Sequence, residues 1–381
     1  MIRSINLINF KPFVNQLLQF KSLTLLSGLN STGKSSVLQS LLLLRQSYQQ
    51  GLLPKTGLAL NGELVQIGTA KDALYEGAQE DFIGFDIFWQ NDIEGHWRFS
   101  YDPKVNVLNL DSEPVAKEIY QLSLFNKKFH YIQAERIGPR SFYPMSDFDV
   151  REKGLIAANG EYAAHFLLVN ENKNILNGKL SHPNVKSSKK DFSDDPETKS
   201  LALIDQVQAW MGEISPGTRI KINSNPDMDL ISLQYLFEMG KEVSNPYRAT
   251  NVGFGISYTL PIIVAVLASE PGTLILIENP EAHLHPKGQS KMGELLALAA
   301  SCGIQVVIET HSDHVLNGIR RVVHAGKLDH QDVQLHYFQR QEKEGQAFTE
   351  VVSPRIKRSG RIDKWPDGFF DQMEKDLMEL I

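Results

Sequence analysis

Gly28-Leu29-Asn30-Ser31-Thr32-Gly33-Lys34-Ser35 is the stretch on which the reading of this chain turns. Ahead of it, Leu23 to Leu26 is a short apolar run that ends at Ser27-Gly28, the pattern of a buried strand entering a tight turn. Behind it, Val37, Leu38, Leu41, Leu42 and Leu44 recur at helical spacing between Lys34 and Tyr48. A glycine loop between strand and helix turns successive backbone N–H groups, and the positive end of the helix, toward phosphate. The glycines permit the sharp turn and close approach, Lys34 supplies a point charge, and the Ser35 hydroxyl is placed to ligate Mg²⁺. Candidate nucleotide contacts are therefore Asn30, Ser31, Gly33, Lys34, Ser35 and Ser36.

Two later strand ends carry the remaining chemistry. Leu274-Ile275-Leu276-Ile277 runs into Glu278-Asn279-Pro280-Glu281. A buried parallel strand delivers a carboxylate at its carboxyl end, so Glu278 is the candidate that holds Mg²⁺ through water. A core strand capped by solvated acids has the same pattern. Ile304 to Glu309 is the next apolar strand and ends in Thr310-His311-Ser312-Asp313, where His311 is placed to reach a γ-phosphate and its attacking water.

Lys34 and Glu278 stand far apart in sequence, so a large lobe is folded between them. Residues 60–133 cluster aromatic and β-branched residues in FIGFDIFW, WRFSY, VNVLNL and FHYIQA, an antiparallel β lobe. Residues 170–200 are rich in Asn, Ser, Lys and Asp and read as a mobile surface insertion. LALIDQVQAWMGEI then marks one helix face, TRIKI and DLISLQYLFE read as strands, and helices are expected near 259–269, 288–300 and 315–325. In 381 residues, 42% hydrophobic and 22% charged, there is ample material for a core. The formal charge of −6 argues against general coating of nucleic acid or anionic membrane, leaving a local basic patch open. One cysteine, Cys302, excludes a disulfide framework, and no apolar run is long enough to span a bilayer. The expectation is a cytoplasmic protein.

Taken together, GLNSTGKSS, LILIENPEAHLHP and VVIETHSDH resemble the ABC-type ATPase heads of the branch containing RecF, SMC and the overcoming-lysogenisation-defect (OLD) ATPases. INLINFKPF and AERIGPRSFYP resemble a bacterial subgroup of stand-alone AAA family ATPases, and RIDKWPDGFF resembles its C-terminal extension. The resemblance implies an α/β P-loop NTPase of ABC type, a mixed sheet core with an antiparallel β lobe and an inserted helical lobe. It implies ATP and Mg²⁺ as cofactors. It also implies a signature motif that contacts the ATP of a second subunit, here Asn251 to Ser257, with Gly253, Gly255 and Ser257 as the contacts. A plain helix cap is the alternative for that segment. Such heads place a catalytic Glu after the acid of the strand; here that position is Asn279, whose amide cannot take a proton from water, and Glu281 is the candidate base with His311 beside it.

The expected organisation is 1–150, an ATPase lobe with the phosphate loop and β subdomain; 151–245, a variable helical insertion; 246–350, an ATPase lobe with signature, acid strand and switch His; and 351–381, a C-terminal extension. Such a head is expected to form a homodimer or higher homo-oligomer around ATP. It would serve as sensor or motor of a multi-protein bacterial system, in anti-phage defence or DNA maintenance, with an effector partner (nuclease or toxin) and no membrane. No appended region is long enough for the nuclease domain of the OLD proteins. A non-hydrolysing ATP-gated scaffold is the alternative. Glu281, His283, His285, His311, Asp313 and His314 match no metal-hydrolase spacing. Gln66 reads as a strand residue or a Mg²⁺ link, and Arg355, Lys357, Arg358, Arg361 and Lys364 as a solvated or phosphate-contacting face. Phe369, Phe370, Met373, Leu377 and Leu380 form an apolar stripe expected to pack on the same chain.

Overall fold

The first twenty residues carry no expected element, yet they form β1 (Ile2–Phe10) and β2 (Phe13–Gln19). Ile5 and Leu7 face inward while Asn6 and Ile8 alternate outward, and the turn between the strands uses left-handed backbone at Asn9 and Lys11. β1 then pairs antiparallel with β5 (Phe82–Trp89), and β5 with β6 (Glu94–Ser100), giving the sheet order β2-β1-β5-β6. Phe10, Phe85 and Phe99 meet edge-on beneath it, with the Phe10 and Phe85 ring centroids 5.1 Å apart. That is the antiparallel lobe of the sequence reading, extended by two strands.

The computed structural model describes residues 1–185, 200–240, 242–343 and 346–380. They divide into two units, one of residues 1–129 and 330–381, the other of residues 130–329. In the first, β3 (Leu23–Gly28) leads through the glycine loop into α1 (Lys34–Gln49) and pairs parallel with β16 (Val333–Lys343). β16 in turn pairs antiparallel with β17 (Gln346–Val352). Val37, Leu38 and Leu41 to Leu44 are fully buried along α1, each such side chain worth roughly 1.5–3 kcal/mol of burial. Short strands β4 (Gly57–Ala59) and β7 (Val107–Asn109) pair with each other, with α2 (Ala70–Ala73) between them in sequence.

The last segment departs from expectation. Phe369 is buried, but α8 (Gln372–Glu379) has no buried residue, and Met373, Leu377 and Leu380 are exposed rather than packed on the chain. Arg355, Lys357, Arg358, Arg361 and Lys364 are exposed around a small hairpin closed by the Ile356–Ile362 bridge, a solvated face.

The second unit holds β8 (Phe129–Ile132), β9 (Tyr143–Pro144), α3 (Ala163–Asn170), α4 (Leu203–Ile214), β10 (Thr218–Asn225), β11 (Leu230–Met239), β12 (Glu242–Val243) and β13 (Tyr247–Arg248). After them come α5 (Phe254–Ala268), β14 (Leu274–Glu278), α6 (Pro286–Ser301), β15 (Gln305–Glu309) and α7 (Asp313–His324). β14 and β15 are parallel and in register from Leu274–Gln305 to Glu278–Glu309. β8, read as part of the antiparallel lobe, instead lies beside β14. α5 begins five residues earlier than expected, at Phe254, so that it takes in Gly255, and Pro261 sits inside it. Segment 151–245 is as much hairpin as helix, since β10 and β11 pair over eight residues. Of the expected insertion 170–200, residues 186–199 lie outside the described residues. The part before them is anchored: Ile175 and Leu180 are buried, and Trp210 Nε1 donates to the Leu180 carbonyl at 3.0 Å.

Candidate nucleotide-binding and acid sites

The phosphate loop is built by two glycines that nothing else can replace. Gly28 has φ +140°, and a Cβ there would lie 2.1 Å from the Phe338 carbonyl oxygen. Gly33, at φ +99°, caps the start of α1, and a Cβ would lie 2.6 Å from Pro12 and 2.7 Å from Phe13. Ser31 between them is also left-handed. Thr32 Oγ1 donates to the Leu29 carbonyl at 2.8 Å and Lys34 Nζ to the same oxygen at 2.7 Å. Thr349 Oγ1 of β17 donates to the Thr32 carbonyl at 3.1 Å. Leu29 to Ser31 are exposed, while Lys34 is buried with only its head group at the loop. The loop is thus a preshaped turn, held from below, over a helix N-terminus with no acidic residue in its first turn. Gln66 is exposed in an isolated bridge with Asn61.

In the second unit, Glu278 ends β14 with both oxygens engaged. Tyr131 Oη donates to Oε1 at 3.0 Å, and the Ala134 N–H donates to Oε2 at 3.1 Å. Burial, then the adjacent Glu278 carboxylate, pushes the Tyr131 phenol up, so Tyr131 is a donor throughout the physiological range. Asn279 follows in left-handed backbone at φ 45°, a conformation that Asn tolerates and Glu adopts poorly. Its N–H donates to the Glu309 carbonyl at 2.8 Å, and its Oδ1 is buried without a hydrogen bond.

Glu281 ties this turn to the switch segment after β15. Thr310 Oγ1 donates to its Oε2 at 2.6 Å, and the His311 N–H donates to its Oε1 at 2.8 Å. Ser312 then caps α7 by accepting from the Val315 N–H at 3.1 Å, and donates to Gln289 Oε1 at 2.6 Å. The His311 side chain is left exposed at the end of this braced segment. His285 has a local task, its Nδ1 accepting from the Lys287 N–H at 3.2 Å to cap α6. Among the described residues no three His, Cys, Asp or Glu side chains are grouped to hold a metal ion.

The glycine-rich segment before α5 divides its labour. Gly253 is exposed, has φ −63°, and a Cβ there would meet nothing within 4 Å. Gly255 is needed internally, since a Cβ would lie 2.6 Å from the His283 carbonyl oxygen. Ser257 lies on the buried side of α5 at 5% exposure, so the outward surface of the segment is Asn251, Gly253 and Phe254. Beside it opens a cleft of about 520 Å³ lined by Ile214, Phe237, Tyr247, Val252, His283 and Leu284, among others.

Three residues here escape a reading by motif. Glu309 is buried in register with Glu278, giving paired carboxylates at the two strand ends. Tyr131 is the acid's hydroxyl donor. Arg136, 2% exposed, reaches under the turn to the carbonyls of Glu278 and Asn279.

Residues 91–317 match the family described as "AAA domain, putative AbiEii toxin, Type IV TA system". Residues 328–380 match one described as "Protein of unknown function (DUF3696)". No curated protein sequence matches the chain. Among solved structures, an Smc head bound to the C-winged helix domain of ScpA is similar at TM-score 0.51 and 13% identity, over 93% of this chain and 98% of that one. The Smc head domain with an extended coiled coil, bound to the C-terminal domain of ScpA from Pyrococcus furiosus, is similar at TM-score 0.51 and 12% identity, over 100% and 99%. At these identities the likeness is one of fold, the mixed α/β fold of an SMC-type P-loop ATPase head. No helix among the described residues is long and apolar enough to cross a membrane.

Proposed function

The chain belongs to the AAA-domain family whose description names the AbiEii toxin, and from that footing we propose that it binds ATP and hydrolyses it to ADP and phosphate. The observation that carries this is the phosphate loop, whose turn only glycine allows at Gly28 and Gly33. In this reading the loop amides from Asn30 to Ser36 and the Lys34 ammonium hold the β- and γ-phosphates. Ser35 and Glu278 offer hydroxyl and carboxylate oxygen, the donor set Mg²⁺ prefers, and each Glu278 oxygen keeps a lone pair beyond the one hydrogen bond it accepts. Held by such oxygens, Mg²⁺ would neutralise charge on the phosphates. Glu281, held by Thr310 and His311, takes the proton of the attacking water, and the exposed His311 imidazole donates toward the γ-phosphate. Phosphate release by the wild-type chain, absent in Lys34→Ala, tests it; equal release by both proteins would refute the assignment.

Two copies complete the site. One chain carries one phosphate loop and one glycine-rich segment, and a two-fold dimer lets each copy's Gly253 face the other's ATP. The reading extends to a sensor or motor for an effector protein, a nuclease or toxin, in bacterial anti-phage defence or DNA maintenance. The family description and the ScpA-bound heads of similar fold support a partner protein. A second reading, an ATP-gated scaffold that does not hydrolyse, is favoured by Asn279 at the usual base position and by the engagement of both Glu281 oxygens. ATP binding with no steady-state phosphate release would select it.

A further inference from the structure

We infer that Arg136 is a positioning residue that couples the glycine-rich start of α5 to the acid turn after β14. The inference rests on the reading that one copy's Gly253 segment meets the other copy's ATP. The Arg136 guanidinium is buried, and its Nη1 donates to the carbonyls of Gln133 at 3.0 Å and Glu278 at 2.8 Å, while Nη2 donates to Asn279 at 2.7 Å. It therefore holds the two carbonyls that bracket the left-handed Asn279. Its other face lies over Tyr258 in the second turn of α5, 5.3 Å from the ring centroid. Tyr258 also meets the His283 ring edge-on at 4.7 Å, and His283, at φ 61°, is the far end of the same turn. Burial lowers the guanidinium to about 10, so it stays charged at neutral pH.

This geometry gives α5 two grips on the acid turn, one at each end. Tyr258 acts through Arg136 on Glu278 and Asn279, and through His283 on the segment after Glu281. Gly255 passes close to the His283 carbonyl, since a Cβ there would lie 2.6 Å from that oxygen. A shift of the α5 start on meeting the partner's γ-phosphate thus re-aims the carboxylates that serve the chain's own ATP. Each copy would hydrolyse faster when its neighbour is loaded.

The test is the ATP dependence of phosphate release by wild type, Arg136→Lys, Tyr258→Leu, Tyr258→Phe and the Arg136→Lys/Tyr258→Leu double variant. ATP affinity is measured separately with a fluorescent ATP analogue. Wild type should give a Hill coefficient well above one. Arg136→Lys and Tyr258→Leu should lower kcat by about tenfold to a hundredfold, the scale of reacting groups misplaced by up to about 1 Å, and bring the Hill coefficient to one, with affinity within about twofold. Tyr258→Phe keeps the ring and should behave as wild type. The double variant should be no worse than either single one, because both act on one path. Losses that add, an unchanged Hill coefficient, or unchanged kcat in Tyr258→Leu would overturn the coupling, and Tyr258→Leu decides it even where Arg136→Lys fails to fold. A wild type that hydrolyses ATP with a Hill coefficient of one overturns the coupling alone. A wild type that releases no phosphate overturns hydrolysis and the coupling together.

Discussion

Gly253→Asp separates a ligand contact from a helix cap, because the two roles predict opposite signs. Gly253 occupies the N-cap of α5 at φ −63°, ψ 142°, an extended conformation open to any residue, and no side chain caps the helix. A Cβ added there meets nothing within 4 Å. Aspartate is a better N-cap than glycine by a few tenths of a kcal/mol, so thermal unfolding should move up slightly or stay. In the composite site, however, the new carboxylate faces a γ-phosphate of the partner's ATP. Two like unit charges about 4 Å apart repel by about 4 kcal/mol at the effective dielectric of a protein surface. Unscreened, that is a loss of ATPase activity of about a thousandfold, and halved by salt it is about thirtyfold. Gly253→Asn, the same cap without charge, is the control and should retain activity. Phosphate release is measured at saturating ATP beside an unfolding curve. Activity of the Gly253→Asp variant within about twofold of wild type would refute the contact and leave Asn251 to Ser257 as a cap.

Lys34→Ala should abolish binding of a fluorescent ATP analogue, since Lys34 is the charge set at the loop through Leu29. Glu281→Gln should lower hydrolysis by roughly two to four orders of magnitude with binding spared, the scale of a lost general base; loss of binding would instead make Glu281 purely structural. His336 adds a pH dependence to the first unit. Burial lowers it to about 4 from 6.5, with Nε2–H donating to the Gln19 carbonyl at 2.8 Å and Nδ1 hydrogen-bonded to Ser353 Oγ at 2.8 Å. The unfolded chain binds the proton first, so stability falls as pH drops from about 6.5 to about 4, by about 3 kcal/mol from this residue. Denaturant unfolding across that window should show a shallower fall in His336→Gln, and parallel curves would count against it.

The phosphate loop, β14, β15 and the helices after them are legible in the sequence because local chemistry dictates them. Glycines at φ values closed to other residues, continuous apolar strands and helical periodicity each report within a few residues. The start of α5 is hidden because Gly253 and Gly255 weaken the local helical signal, while the burial of Ile256 and Ser257 that accompanies it is tertiary. FHYIQA has the composition of the antiparallel lobe, and composition cannot say that β8 joins β14 instead. The acid site is legible only as far as its motifs run. Tyr131, Arg136 and Glu309 act through partners more than a hundred residues away or one strand over, as with Tyr131 and Glu278, and no local pattern encodes such a meeting. The division of labour between Gly253 and Gly255 is likewise invisible without the His283 carbonyl.

Closure of two chains around ATP doubles the mass in solution. Light scattering of the Glu281→Gln protein with Mg²⁺, with and without ATP, should show one chain without nucleotide and two chains with it, because nucleotide shared across the interface strengthens association when hydrolysis is blocked. Adding Gly253→Asp to the same protein should return the mass to one chain in ATP. A mass of one chain under both conditions, in protein that binds ATP, would rule out closure of two chains around the nucleotide.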